Sequence, residues 1–191
     1  HPSLPARSVK ELIAFAKKRP GEVNVATAGA ALRLAAKMLD SMAGMQTTEI
    51  NYKSTPQAIT AVVSGETSVG FPATSSAMPY ARSGKLRALA VTTPKRSSMA
   101  PDVPTVAESG VPGYDVTTWY GLLVPAATSK EVIARLNGAT VNALTSAAVK
   151  ERFAPTDLEI NYSTPEQFGT YIRAEVAKWA KVIKESGITG E

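Results

Sequence analysis

Apolar positions along the first half of the chain follow two alternating periods, which predict a series of helices and strands. Segments with helical spacing follow start signals such as Ser8-Val9-Lys10-Glu11, where serine and glutamate stand at capping-box spacing. Short apolar, β-branched runs separate them. The predicted strands cover 23–27, 48–52, 67–73 and 86–93, and the helices between them cover 31–43, 58–64 (capped by Thr55) and 75–82. Strands that alternate with helices through short connections predict a parallel sheet covered on both faces.

The second half of the chain departs from this pattern. Prolines between Thr93 and Gly113 leave room for one short helix near 105–109. Beyond them, the pattern predicts a β-rich run, two helices, a further strand and a long amphipathic helix that Thr164 caps and Gly187 ends. The first four of these cover 114–124, 130–144, 149–153 and 158–162. The proline-rich segment predicts a boundary between two lobes, 1–116 and 117–191.

Three strand-to-helix junctions carry small or hydroxyl-bearing residues, at positions where parallel α/β sheets bind ligands. The candidate residues are Thr27, Ala28 and Gly29 at the first junction, Tyr52, Lys53, Ser54 and Thr55 at the second, and Thr74 and Ser75 at the third. Unpaired helix N-terminal amides, short side chains and the charge of Lys53 suit an anion. Any one junction can also be an ordinary helix cap, and Tyr52 and Lys53 can be packing and surface residues. Together the junctions predict a cleft for one or two carboxylates.

Trp119 is a further candidate of a different character. It lies beside Tyr120 in the run Thr117-Thr118-Trp119-Tyr120-Gly121, which combines aromatic rings with hydroxyl groups. Such rings can hold a ligand between apolar faces while their polar tips bond to it, but they can equally pack within a sheet. Both interpretations stay open for Trp119.

Composition removes most catalytic classes. The chain has no cysteine, and its one histidine is His1, so thiol nucleophiles, iron–sulfur clusters, imidazole bases and histidine metal sites have almost nothing to use. P-loop, Gly-x-Ser-x-Gly and Gly-x-Gly-x-x-Gly motifs are also missing. We therefore predict no enzymatic activity, no cofactor and no metal.

Charge and hydropathy narrow the choice of partners and compartment. The 21 basic and 16 acidic residues give a net charge of +5, but the basic residues are scattered and do not interleave with aromatics as in nucleic-acid binders. No apolar run approaches the roughly 18–20 residues that span a bilayer. Since no signal peptide opens the chain, it is expected to be mature, cytosolic or cut from a longer protein.

Four segments resemble the solute receptors of tripartite tricarboxylate transporters, the Bug family. They are the opening His1-Pro2-Ser3-Leu4-Pro5 through Leu12, Ser83-Gly84-Lys85-Leu86-Arg87-Ala88-Leu89-Ala90-Val91-Thr92, Pro101-Asp102-Val103-Pro104-Thr105-Val106-Ala107-Glu108, and Trp119-Tyr120-Gly121-Leu122-Leu123-Val124-Pro125. The resemblance covers nearly the whole chain, and the stretch from 83 to 108 is its most specific part.

The resemblance implies a periplasmic, non-enzymatic receptor with two α/β lobes of the type II periplasmic-binding-protein class, built on mainly parallel sheets. Its ligand would be a small organic acid, such as a di- or tricarboxylate, an amino acid or an aromatic carboxylate. Its partners would be the two membrane subunits of the transporter. The family's carboxylate-contacting loops would fall on 27–29, 52–55 and 71–75, which are the three junctions described above.

Three departures from the family pattern matter. The family carries a further segment before the His1-Pro2-Ser3 stretch, the loop after Gly29 is shorter here, and Pro72 stands where an aspartate is common. We therefore expect one complete lobe and an incomplete second one. The alternative is a truncated α/β domain that acts as an interaction or self-association module through an unpaired sheet edge, and a small hydrolase ranks third.

Overall fold

Four helices form in the first half of the chain, close to their predicted positions. The computed structural model describes residues 1–154, 156 and 158–186, and it gives α1 Val9–Lys18, α2 Ala30–Ala43, α3 Thr55–Ser64 and α4 Thr74–Arg82. The predicted capping box starts α1, because Ser8 Oγ accepts a hydrogen bond from the Glu11 amide at 3.1 Å. The predicted cap of α3 was wrong by one residue: Ser54 is the N-cap and Thr55 is already helical.

A three-stranded parallel sheet connects these helices. Its strands are β1 Asn24–Thr27, β2 Thr48–Asn51 and β3 Val69–Gly70, in the spatial order β2-β1-β3. The parallel βαβ arrangement predicted from the alternating pattern is therefore confirmed.

The core lies around β1, the central strand. Val25 and Ala26 of β1 are buried, as are Leu12 of α1 and Leu39 of α2. Tyr114 is among the largest side chains that are fully buried, and its hydroxyl donates a 3.0 Å hydrogen bond to the Ala35 carbonyl. A residue far along the chain thus anchors α2.

The second half contributes three helices, α5 Lys130–Thr145, α6 Ala147–Phe153 and α7 Pro165–Ser186. Their caps are Ser129, Ser146 and Thr164. The cap Thr164 was predicted from the sequence, whereas α6 begins two residues before its predicted start at 149. Gly187, the predicted end of α7, lies outside the described residues. None of the helices in the described ranges is both long enough and apolar enough to cross a membrane.

The chain divides into two compact units. The first contains His1–Thr117 together with 181–186 of α7, and the second contains Thr118–Ala180. The predicted division into lobes 1–116 and 117–191 stays a prediction. The last turns of α7 belong to the first unit, which the sequence pattern did not predict.

Several predicted elements are not formed in the described residues. No strand is present over 114–124 or 158–162, the predicted strand 67–73 is reduced to β3, and 86–93 contributes only a bridge between Val91 and Thr105. The common reason is that a strand needs a neighbour for its backbone hydrogen bonds, whatever its side chains favour.

The helix predicted near 105–109 is a turn instead. Thr105 and Glu108 make the reciprocal bonds of a capping box, at 2.9 and 3.0 Å. Only a few residues separate Pro104 from Gly110, which is too short a segment to offset the cost of helix nucleation.

Candidate functional site

The three predicted junctions meet at one edge of the sheet. Thr27 lies opposite Asn51 in the ladder of β1 and β2, and Ala26 lies opposite Gly70 in that of β1 and β3. The Tyr52 amide also donates to the Thr27 carbonyl at 2.8 Å. Because the strands are parallel, α2, α3 and α4 all begin beyond this edge, and we call this region the carboxyl edge of the sheet.

The three helices at the carboxyl edge differ from the other four in how they begin. Gly29 and Ala73, the N-caps of α2 and α4, have no side chain that can cap, and Ser54 makes no capping hydrogen bond to α3. By contrast, each of the remaining helices has a capping hydroxyl oxygen that accepts a hydrogen bond from a first-turn amide. These capping residues are Ser8, Ser129, Ser146 and Thr164. First-turn N–H groups at the carboxyl edge are therefore free of side-chain acceptors within the described residues, and they carry the positive end of each helix dipole.

Gly29 is required for its backbone conformation. Its φ of +77° lies in the region that L side chains rarely adopt. A Cβ at this position would meet no atom within 4 Å, so the space in front of the α2 amides is open. The neighbouring Ala28 packs against the buried cluster of Ala26, Ala58 and Val62, which holds the turn in place.

A charged pair that the sequence analysis missed lies beneath this turn. Thr27 is fully buried, and its Oγ1 donates to Glu49 Oε1 at 2.9 Å. Arg33, in the first turns of α2, places Nε 2.8 Å from the same carboxylate oxygen. The one hydrogen-bond donor of the Thr27 hydroxyl is engaged by Glu49, so Thr27 does not donate to a ligand in this arrangement. The guanidinium of Arg33 offsets the negative charge that Glu49 brings to the carboxyl edge.

One signal in the sequence points to this pair. Glu49 is an acidic residue in the middle of a predicted strand, where an unpaired charge is costly. Its partner cannot be read from spacing, because the pairing joins β2 to α2, two elements whose contact depends on the tertiary fold.

The second junction combines a fixed residue with exposed ones. The Tyr52 hydroxyl donates to Glu66 at 2.8 Å, and burial followed by that carboxylate raises the pKa of Tyr52 above its ordinary value. Lys53 is exposed and forms no ion pair with the described residues. Ser54 and Thr55 are half-buried. This junction therefore offers a positive charge and two hydroxyl groups beside the α3 amides.

The third junction presents the first two residues of α4. Thr74 is half-buried and Ser75 is exposed. Gly70 allows this side of the sheet to lie close to α3, since a Cβ there would approach Val62 Cγ2 to 3.1 Å. The contact between Gly70 and Val62 of α3 thus helps to position the turn between β3 and α4, and α3 is the helix that begins at the second junction.

Trp119 does not belong to this part of the molecule. It lies in the second unit, where its ring makes edge contacts with Phe168 and Tyr171 of α7 at centroid distances of 5.6 and 5.5 Å. The nine other candidate residues all lie in the first unit. Aromatic packing within the second unit accounts for the position of Trp119, and its role in ligand binding stays a prediction.

Comparison with known proteins agrees with this architecture. The family model described as "Tripartite tricarboxylate transporter family receptor" matches residues 1–188. The chain therefore belongs to the receptor family of tripartite tricarboxylate transporters, as the resemblance implied. Protein BugT of Bordetella pertussis is 33% identical over 189 residues, which are 98% of this chain and 58% of BugT.

Solved structures of the family share the fold. The structure of R. palustris Rpa4515 with adipate is 30% identical, with a TM-score of 0.78. The match covers 98% of this chain and 63% of the Rpa4515 chain. The structure of MatC from Rhodopseudomonas palustris with bound malate is 27% identical, with a TM-score of 0.68. The match covers 94% of this chain and 63% of MatC. The periplasmic-binding-protein-like α/β class, with a parallel sheet flanked by helices, is thus confirmed. The chain spans about three fifths of the length of these relatives.

Proposed function

We propose that this chain belongs to an extracytoplasmic receptor that captures a small organic acid at the carboxyl edge of its β2-β1-β3 sheet. The protein would work in the periplasm, deliver its ligand to two membrane subunits of a tripartite transporter, and perform no chemistry on it. The family match favours this role over an interaction module.

The observation that carries the proposal is the set of three helix N-termini without side-chain caps at a single edge. Each offers amides to an anion at a favourable end of the helix dipole, worth about 0.3–1 kcal/mol and up to ~2 when partly buried. Charge-assisted hydrogen bonds from such amides add about 1.5–3 kcal/mol each. Lys53 adds a positive charge in front of α3.

The ligand class follows from the same features. A carboxylate accepts several N–H groups at once, and two or three anchoring points suit an acid with more than one carboxyl group. Relatives solved with adipate and with malate support this class. We propose Gly29, Ala28, Lys53, Ser54, Thr55, Thr74 and Ser75 as the residues around the ligand, with Thr27 and Tyr52 fixing the two turns.

Calorimetric titration of the 191-residue chain with adipate, malate and citrate tests the proposal, with adipamide as the uncharged control. Ser54→Asp places a carboxylate in front of the α3 amides, while Ser54→Asn has a similar size and no charge. Both are good N-cap residues, so the fold should be retained in each.

We expect Ser54→Asp to weaken binding of the preferred acid at least about tenfold, which corresponds to ~1.4 kcal/mol. Ser54→Asn should change it much less. Equal affinities for the parent and Ser54→Asp, or equal losses in both variants, would contradict an anion site at this junction. Binding of adipamide as tightly as adipate would contradict a site that recognises charge.

A further inference from the structure

The guanidinium of Arg33 carries hydrogen-bond donors that no described residue accepts. Its Nε is buried and stands 2.8 Å from Glu49 Oε1, but this ion contact is not an aligned hydrogen bond, and Nε has no other partner among the described residues. The terminal nitrogens, Nη1 and Nη2, make no hydrogen bond to a described residue either, and unlike Nε they are accessible at the surface. Unsatisfied donors on a charged, half-buried side chain are uncommon in folded proteins and require an explanation.

The position of Arg33 places this group at the carboxyl edge of the sheet. Arg33 is the fourth residue of α2, and helical side chains lean toward the helix N-terminus, which here follows the turn at Gly29. The oxygen that contacts Arg33 also lies 2.9 Å from Oγ1 of Thr27, the last residue of β1. The guanidinium and the end of β1 therefore share one neighbour, and the guanidinium lies beside the first junction.

The positive member of this ion pair is the more accessible one. The side chain of Glu49 is 16% exposed, whereas that of Arg33 is 29% exposed. Oε1 of Glu49 also accepts the hydrogen bond from Thr27, which covers part of its charge. The two charges offset each other at a distance, but an anion at close range meets the terminal nitrogens of Arg33 first. The pair thus presents a positive end to the carboxyl edge.

The chemistry of this end fits a carboxylate. Nη1 and Nη2 of an arginine form a planar fork that matches the two oxygens of a carboxyl group. Because the contact with Glu49 already restrains the Arg33 side chain, binding orders it at a lower entropic cost than it would order a free surface arginine. The helix amides at the same edge are a separate set of donors. An acid with two carboxyl groups can use both sets at once.

We infer that Arg33 is a specificity-determining residue, which binds a second carboxylate of the ligand through Nη1 and Nη2. The first carboxylate takes the helix amides, and the ligand class is a dicarboxylate in preference to a monocarboxylate of the same chain length. The inference rests on the proposed function, because it assigns one further contact at the same site.

Calorimetric titration of the 191-residue chain with adipate and with hexanoate tests the inference, because these acids have equal carbon chains and differ by one carboxyl group. The first variant is Arg33→Gln, which leaves the Glu49 carboxylate without its cation. The second combines Arg33→Gln with Glu49→Gln, so no unpaired charge remains to repel a ligand or to weaken the fold. The matched control is Arg82→Gln, which removes an exposed arginine from the end of α4 that lies away from the carboxyl edge.

We expect the parent and Arg82→Gln to prefer adipate over hexanoate at least about tenfold. Arg33→Gln and the double variant should both lose most of this preference, with hexanoate affinity changed less than about twofold in the double variant. An unchanged preference in Arg33→Gln would overturn the inference. So would recovery of the parent's preference in the double variant, because Arg33 would then act only by neutralising Glu49.

Failure of the proposed function looks different from failure of this inference. A parent that binds none of the acids, including malate and citrate, would contradict both. A parent that binds one of the acids but shows no preference for adipate over hexanoate would contradict only the role of Arg33.

Discussion

The two units of this chain have similar helices but very different interiors. Every buried apolar side chain of the described residues lies in the first unit, from Leu4 to Tyr114 and at Val182. Among the described residues of the second unit, only Glu175 is buried. Its carboxylate accepts a hydrogen bond from Trp179 Nε1 at 3.1 Å and pairs with Lys178 Nζ at 2.5 Å. Most large apolar side chains that are exposed belong to the second unit, and Tyr120, Leu122 and Leu123 are more than 70% exposed.

This contrast shows that a helix can form without a buried core, whereas a strand forms only beside a neighbour that pairs with its backbone. Helices α5 and α6, which lie wholly in the second unit, form without buried residues, because each satisfies its own backbone hydrogen bonds and starts at a capping side chain. The apolar run 120–124 remains outside any sheet because no described neighbour pairs with it. The first unit retains strands because β1 has a partner on both sides.

The largest expected effect is at Tyr114, in the core of the first unit. Tyr114→Ala should lower the free energy of unfolding by about 3–5 kcal/mol, because it removes a fully buried ring and leaves a cavity. Tyr114→Phe loses only the hydrogen bond to Ala35, worth about 0.5–1.5 kcal/mol. The matched control is Tyr120→Ala, whose ring is 81% exposed and whose loss should cost less than about 0.5 kcal/mol. Urea unfolding followed by circular dichroism measures all three, and a similar cost at the two tyrosines would remove the distinction between the units.

A smaller effect is expected where the second unit does pack. A Cβ at Gly121 would overlap the ring of Phe168, which stacks with Tyr171 and meets Trp119 edge-on. Gly121→Ala should therefore cost about 1–3 kcal/mol and alter the near-ultraviolet circular dichroism of the aromatic rings. In the control Gly138→Ala, the new methyl group meets nothing within 4 Å inside α5, and it should stabilise by about 0.5–1 kcal/mol. An unchanged aromatic spectrum in Gly121→Ala would mean that this cluster is not ordered in solution.

The smallest change in stability is expected at the exposed run of the second unit, although its effect on association should be clear. Leu122→Ser combined with Leu123→Ser should alter the free energy of unfolding by no more than about 0.5 kcal/mol at each position. The same pair of changes should reduce self-association in light scattering, because exposed apolar patches drive association with other chains. Met42→Ser, at an exposed apolar residue of the first unit, serves as the control. A parent chain that stays monomeric at high concentration would show that this run does not drive association.

The sequence predicted which junctions form the candidate site, but it did not predict the ion pair beside it. Since parallel strands end at a common edge, the sequence alone predicts that the junctions at Gly29, Ser54 and Thr74 lie close together. The pair of Arg33 and Glu49 could not, because it depends on which strand lies beside which. The same pairing decides that the Thr27 hydroxyl serves Glu49 and is not available to a ligand.

By itself, the sequence determined where α1 and α7 begin and where α2 and α3 end. Those signals are local: a serine or threonine cap, a capping-box acid or amide three residues later, and glycine at the end, as at Gly44 and Gly65. Only the tertiary structure decided which apolar runs became strands. The segments 48–51 and 86–92 both carry strand-like sequences, but only the first lies against β1. The reason is physical, since a helix closes its hydrogen bonds within itself, whereas a strand closes them with a neighbour that local sequence does not specify.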